Sequence, residues 1–173
     1  MRTIFTKALY AIVILALFAT TSCKKDGGSS SSGYYVKFKL NGTQKQYSET
    51  TAAVFTDAFS VHQCSMVGEE TKNASIYEGM AISIYSDAAI AANVTYTDQI
   101  VTSLGTPQAT LLFTDSDGTQ TTSAFLSNAN VKVTITQMDD KTVTGTFSGN
   151  IGDISDISGN ESVTEGQFHL PRN

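Results

Sequence analysis

The chain has 173 residues, with 11 Lys and Arg against 16 Asp and Glu, a net charge of −5, and two cysteines, Cys23 and Cys64. Its cations are scattered except at Lys24-Lys25 and Lys37/Lys39, which excludes the basic stripe that nucleic-acid binding draws on. Two cysteines exclude a disulfide-stapled scaffold, and a chain this long buries roughly two-thirds of its unfolded surface without staples or a structural metal.

Arg2 and Lys7 precede the apolar run Ala8 to Ala19, and the small residues Thr20, Thr21 and Ser22 follow it. Charged, apolar, small is the order of a secretory signal helix. The run is shorter than the roughly 18 apolar residues a stable membrane span needs, so residues 1–22 read as a cleaved export signal. Its removal leaves nine Lys and Arg against 16 Asp and Glu, a net of −7. Cys23 stands at the cleavage point, followed by Lys24-Lys25-Asp26. Small residues leading into a cysteine resemble the lipobox of bacterial lipoproteins, in the relaxed form common in Bacteroidetes-type bacteria. Thr20 stands where the usual pattern has Leu, and Thr20-Thr21-Ser22 also suit ordinary signal-peptidase cleavage.

The resemblance implies a diacylated Cys23 as the membrane anchor, and Lys24, Lys25 and Asp26 as a signal for export to the outer face of the outer membrane. Two or more acyl chains anchor stably where one is marginal. Residues 23–33 then form a tether, because Gly27 to Gly33 reads Gly-Gly-Ser-Ser-Ser-Ser-Gly, a flexible-coil composition. Its mean reach is roughly 18 Å.

From Tyr34 the apolar residues alternate: Val36, Phe38 and Leu40; Met80, Ile82 and Ile84; Val131, Val133 and Ile135; then Val143 and Phe147 with Gly145 between them. A period of two marks strands with one buried and one wet face, and 24 Thr suit such a surface. Asn41-Gly42 predicts a type I′ hairpin turn, Asp117-Gly118 another tight turn, and Asp139-Asp140 the link between two strands. Strands are expected at 34–40, 44–48, 52–56, 58–67, 74–86, 93–97, 108–114, 121–126, 130–138, 142–150 and 163–170, some merged to give about nine or ten. The expected fold is one all-β domain over 34–170, an antiparallel β-sandwich with a calycin-like β-barrel as alternative, before a tail at 171–173. Val143-Thr144-Gly145-Thr146-Phe147-Ser148-Gly149, Val163-Thr164-Glu165-Gly166-Gln167-Phe168 and the opening Phe38-Lys39-Leu40-Asn41-Gly42 resemble a broad group of uncharacterised Bacteroidetes lipoproteins. That likeness implies an all-β fold at the cell surface and brings no active site.

Candidate chemistry is sparse. His62 and Cys64, two apart, leave a strand by one face, but zinc wants three or four ligands and the other histidine, His169, is at the far end of the chain; Met66 extends the same stripe. Cys64, left without a partner, reads as a small half-buried apolar side chain. Asp115 and Asp117 before Gly118, and Asp153 and Asp156 in a polar loop, are fragments of cation sites, but turn formation at the first pair and a solvated loop at the second are the favoured readings. Glu69-Glu70 and Asp139-Asp140 fall in apparent turns and read as solvated charge. No nucleophile elbow or phosphate loop occurs, so no catalytic residue, metal or cofactor is assigned. Tyr34, Tyr35, Tyr47, Tyr77, Tyr85 and Tyr96 offer amphipathic contacts, although the favoured reading packs most of them at strand edges with wet hydroxyls and the lack of Trp weakens a carbohydrate version. The expectation is a non-catalytic, membrane-tethered domain that binds a protein or glycan, against a hydrolase with an unrecognised acidic site or a carrier of small apolar molecules.

Overall fold

In the computed structural model, which describes residues 33–58, 61–73, 75–101, 103–153 and 161–173, every regular element is a strand and no described residue is helical. The strands are β1 (Tyr35–Leu40), β2 (Thr43–Tyr47), β3 (Thr50–Ala58), β4 (Val61–Asn73), β5 (Ile76–Ser86), β6 (Val94–Thr97), β7 (Ile100–Val101), β8 (Thr106–Pro107), β9 (Ala109–Thr114), β10 (Gln120–Thr122), β11 (Lys132–Met138), β12 (Thr142–Asp153) and β13 (Glu161–Pro171). They form antiparallel sheets that are not closed into a barrel, the sandwich of the two folds the periodicity allows. One layer runs β2-β1-β13-β12-β11-β6 and the other β3-β4-β5-β9-β10.

β12 joins the layers. Thr142 to Ile151 pair with β13, and Gly152 and Asp153 turn away to pair with Thr122 and Thr121 of β10. At the opposite end of β13, Arg172 bridges to Ala53 and the Asn173 amide donates to the Ala53 carbonyl at 2.9 Å. The second layer is therefore tied to one end of the β12–β13 pair by β3 and to the other by β10, and its strands run across those of the first. Strands that switch sheets in this way make the corners of a crossed sandwich. Residues 171–173 take part in this closure: Pro171 pairs with Thr142, and the Arg172 amide donates to the Lys141 carbonyl.

The alternation read from the sequence sorts the two faces. Val36, Phe38, Met66, Met80, Ile82, Ile84, Leu111, Val133, Ile135 and Phe168 are fully buried between the layers. Phe38 sits among Tyr47, Phe113 and Phe147, with ring centroids 6.1, 5.9 and 5.8 Å away. The expected Asn41-Gly42 turn has φ of 49° and 83° at its two central residues, the left-handed pair that type I′ requires.

Two glycine–phenylalanine pairs explain the Val-Thr-Gly-Thr-Phe and Glu-Gly-Gln-Phe segments. Gly145 faces Phe168 across β12–β13, and Phe147 faces Gly166. A Cβ on Gly145 would lie 2.2 Å from the Thr134 carbonyl and 2.4 Å from Phe168 Cζ. One on Gly166 would lie 2.3 Å from the Phe147 carbonyl. Each ring covers the backbone that its partner glycine leaves bare, the device by which an aromatic side chain stabilises a strand glycine.

The structure corrects several sequence expectations. The described residues form 13 strands, more than the nine or ten expected. The 58–67 segment is two elements, because β3 continues to Ala58 and β4 starts at Val61. Glu69 and Glu70 are strand residues of β4 paired with Gly79 and Glu78, with no turn there. Just before them, the bare backbone of Gly68 serves packing: a Cβ would stand 2.6 Å from Val36 Cβ of the facing layer. The 121–126 strand stops at Thr122, where the Thr122 and Ser123 side chains bond back to the Leu111 carbonyl and amide. The short β7–β8 hairpin, two residues a side, has too few residues to show a period.

Candidate functional site

The outer face of the six-stranded layer carries two polar rows in register. The first crosses all six strands: Thr95, Thr134, Thr146, Gln167, Lys37 and Gln46 are successive cross-strand partners. At about 4.8 Å per strand the row is roughly 24 Å long. The second, one pleat away, runs Gln137, Thr144, His169 and Tyr35. No member of either row is an aliphatic side chain, and all ten are half-buried or exposed. The pattern follows from the sequence period, since the residues between them point into the core.

The second row ends in an aromatic group. Tyr34 and Tyr35 lie against the His169 ring with centroids 5.2 and 6.3 Å away, and Thr144 Oγ1 is 2.9 Å from His169 Nδ1. Lys37 Nζ stands 5.0 Å from the centre of the Tyr35 ring. In the first row Thr95 and Thr134 share a hydroxyl–hydroxyl hydrogen bond of 2.8 Å. Beside the rows, a bulge at Glu165 (φ 53°) brings its carboxylate to Lys39 at 2.7 Å. Such a face offers hydroxyls, amides, ammonium groups and a flat ring surface, the chemistry of polar recognition. His169 entered the sequence reading only as a distant metal ligand. Its place beside Tyr35 depends on the first and last strands being neighbours, which no local pattern reveals.

A second polar cluster lies between the layers. Glu78, on the inner face of β5 and 5% exposed, accepts from Lys45 Nζ and Tyr47 Oη at Oε1, both at 2.7 Å. Lys72 Nζ lies 3.2 Å from Glu78 Oε2 and 3.2 Å from Glu70 Oε2. Burial pushes the Glu78 carboxyl up, but hydrogen bonds from Lys45, Tyr47 and Lys72 outweigh it and hold it at about 2. Burial, then the bond to Glu78, pushes the Tyr47 hydroxyl well above its ordinary value. Lys72 thus brings the Glu70 and Glu78 carboxylates together, a pair against which the acidic-hydrolase alternative can be checked. A general acid at neutral pH needs a raised pKa and an open approach, whereas Glu78 is depressed, enclosed and held by three donors. The cluster clamps edge strand β2 to the second layer.

The remaining candidates separate. Cys64 and Met66 are fully buried core residues, further in than the half-buried face expected, because β4 is an interior strand of its layer. Burial pushes the Cys64 thiol up to about 12, against a smaller lowering effect of Arg172. His62 stays at the strand's start and pairs through Nδ1 with Asp57 at 2.6 Å. Asp115 spends Oδ1 on the amides of Asp117 and Thr119 at 2.8 and 2.9 Å, the turn chemistry of its own loop. Asp139 does the same for Lys141 and Thr142, and those bonds lower its pKa. Asp153 ends β12 opposite Thr121. Among the described residues no three His, Cys, Asp or Glu side chains come together as a metal site. Tyr47 and Tyr96 are core residues, 2% exposed, with their hydroxyls used internally by Glu78 and the Ala91 amide. Tyr77 is half exposed. The signal, Cys23, Lys24, Lys25, Asp26 and Asp156 lie outside the described residues. Compared with protein-family models, with curated proteins and with solved structures, the chain has no significant match to any of them.

Proposed function

We propose that this chain is an exported lipoprotein, anchored through acylated Cys23 and carried to the outer surface of the outer membrane, whose β-sandwich is a non-catalytic binding domain for a glycan or protein. The observation that carries the binding part is the pair of in-register rows, the second of which ends at His169 and Tyr35 with Tyr34 beside them. The small residues before Cys23 and the Gly/Ser tether after it support the anchor. The apolar-carrier reading required a closed barrel, and these sheets do not close. The hydrolase reading required converging, accessible carboxylates, and among the described residues Glu70 and Glu78, bridged by Lys72, belong to the β2 clamp.

Two measurements test it. The intact mass of the membrane-extracted protein is expected to show a chain starting at a diacylated Cys23; any other start, or an unmodified Cys23, rejects the anchor. Full-length protein displayed on cells is expected to capture glycans or envelope proteins through the outer rows. The double variant Tyr35→Ala/His169→Ala is expected to lose that capture while keeping the wild-type unfolding midpoint within a few degrees. Unchanged capture by the folded variant rejects the face.

A further inference from the structure

Charge on the outer rows distinguishes them from the rest of the molecule. The chain as a whole is acidic, at −5. On the strands of this face, however, the outward positions hold Lys37, Lys39 and Lys132 against one carboxylate, Glu165. Glu165 neutralises Lys39. Lys37 stands within the six-residue row with the Tyr35 ring beneath its ammonium group, and no carboxylate pairs with it among the described residues. A lysine on a ring is attracted by the ring's negative face and keeps donors for an incoming anion. The same row supplies hydroxyls and amides at strand spacing.

We propose, resting on the binding-domain reading above, that this face takes an anionic polysaccharide, a chain of sugar rings bearing carboxylate or sulfate groups. The polymer lies along the row from Thr95 to Gln46, its hydroxyls bonded by Thr134, Thr146 and Gln167, one acidic group at Lys37, and one ring against Tyr35. An apolar protein surface would leave these hydroxyls and amides unpaired, whereas a sugar polymer satisfies them. A row about 24 Å long also suits a polymer better than a single sugar.

The test is affinity electrophoresis of the full-length protein in gels containing either polygalacturonate or neutral dextran. Wild type is expected to be retarded by polygalacturonate and not by dextran, with retardation abolished near 0.5 M salt, where exposed charges are screened within about 4 Å. Lys37→Gln and Tyr35→Ala are each expected to weaken binding about fivefold or more. Ser65→Ala, on the other layer, is expected to bind as wild type. Equal retardation of wild type and Lys37→Gln overturns the proposal, as does the absence of retardation by polygalacturonate. Retardation by dextran that depends on Tyr35 overturns the acidic specificity but keeps the face as a glycan surface. Capture of a protein through Tyr35, with neither polysaccharide bound, overturns the glycan while keeping the binding domain.

Discussion

The two faces of the six-stranded layer are made of the same strands and differ in what their side chains must satisfy. Inward, Val36, Phe38, Val133, Ile135, Val143, Phe147 and Phe168 meet the second layer at zero to 3% exposure. There every ångström is constrained, to the point that Gly145 and Gly166 have no space for a methyl group. Outward, Lys37, Thr134, Thr146 and Gln167 meet water, where the fold asks only for polar side chains that suit a strand. The inner face thus explains stability. The outer face holds ten half-buried or exposed positions in two in-register rows, whose particular side chains burial does not fix, and the proposed binding function draws on them.

The largest expected effect comes from breaking the inner face at its tightest point. Gly145→Ala places a Cβ 2.2 Å from a backbone carbonyl that cannot rotate away and 2.4 Å from the Phe168 ring. It is expected to destabilise by about 3 kcal/mol or more, as overpacking into a close-packed core does. Urea unfolding of the variant measures it. A loss well under about 1 kcal/mol would mean that the glycine–phenylalanine pairing is no packing requirement.

Next is the clamp. Glu78 has an ordinary pKa of 4.5 in the unfolded chain and about 2 in the fold, so the folded state prefers the ionised form. A depressed carboxyl contributes stability that is complete above about pH 4.5 and is lost as pH falls through about 2. The linkage amounts to about 3 kcal/mol. Glu78→Gln is therefore expected to cost about 2–3 kcal/mol at pH 6, and the gap to wild type is expected to close toward pH 2. Comparing wild type with the variant removes the contribution of the other carboxylates. A gap of constant size from pH 6 to pH 2 would show that the charge is not what the clamp uses.

This contrast also sorts what the sequence made legible. The inner face was readable, because burial imposes a period of two that Val36, Phe38, Met80, Ile82, Ile84, Val131, Val133 and Ile135 obey strand by strand. The Asn41-Gly42 turn was readable because few residues other than these adopt two left-handed conformations in succession. The rows were not, since they require β1 to lie beside β13 and β11 between β12 and β6, contacts up to 134 positions apart in the case of Tyr35 and His169. The clamp was hidden for the same reason. Lys45 and Tyr47 sit in the polar segment Thr43–Tyr47, and nothing local says that its inner side meets a glutamate three strands on.

The smallest effects come from a pair of near-isosteric exchanges one residue apart on β11. Val133 is fully buried and Thr134 sits in the outer row. Val133→Thr brings a hydroxyl into the core with no acceptor in the apolar pattern around it, and is expected to cost about 1–2 kcal/mol. Thr134→Val removes an exposed hydroxyl bonded to Thr95, keeps the β-branched shape that strands favour, and is expected to stay within about 0.5 kcal/mol of wild type. The two changes have the same size and opposite polarity, so backbone propensity cancels between them and what remains is the environment of each face. Binding should rank them the other way. Thr134→Val deletes a donor in the middle of the row and is expected to weaken polysaccharide retention, whereas a folded Val133→Thr should bind as wild type. If Thr134→Val destabilises as much as Val133→Thr and binds normally, the outer row belongs to the fold after all, and its regularity is a by-product of the sheet.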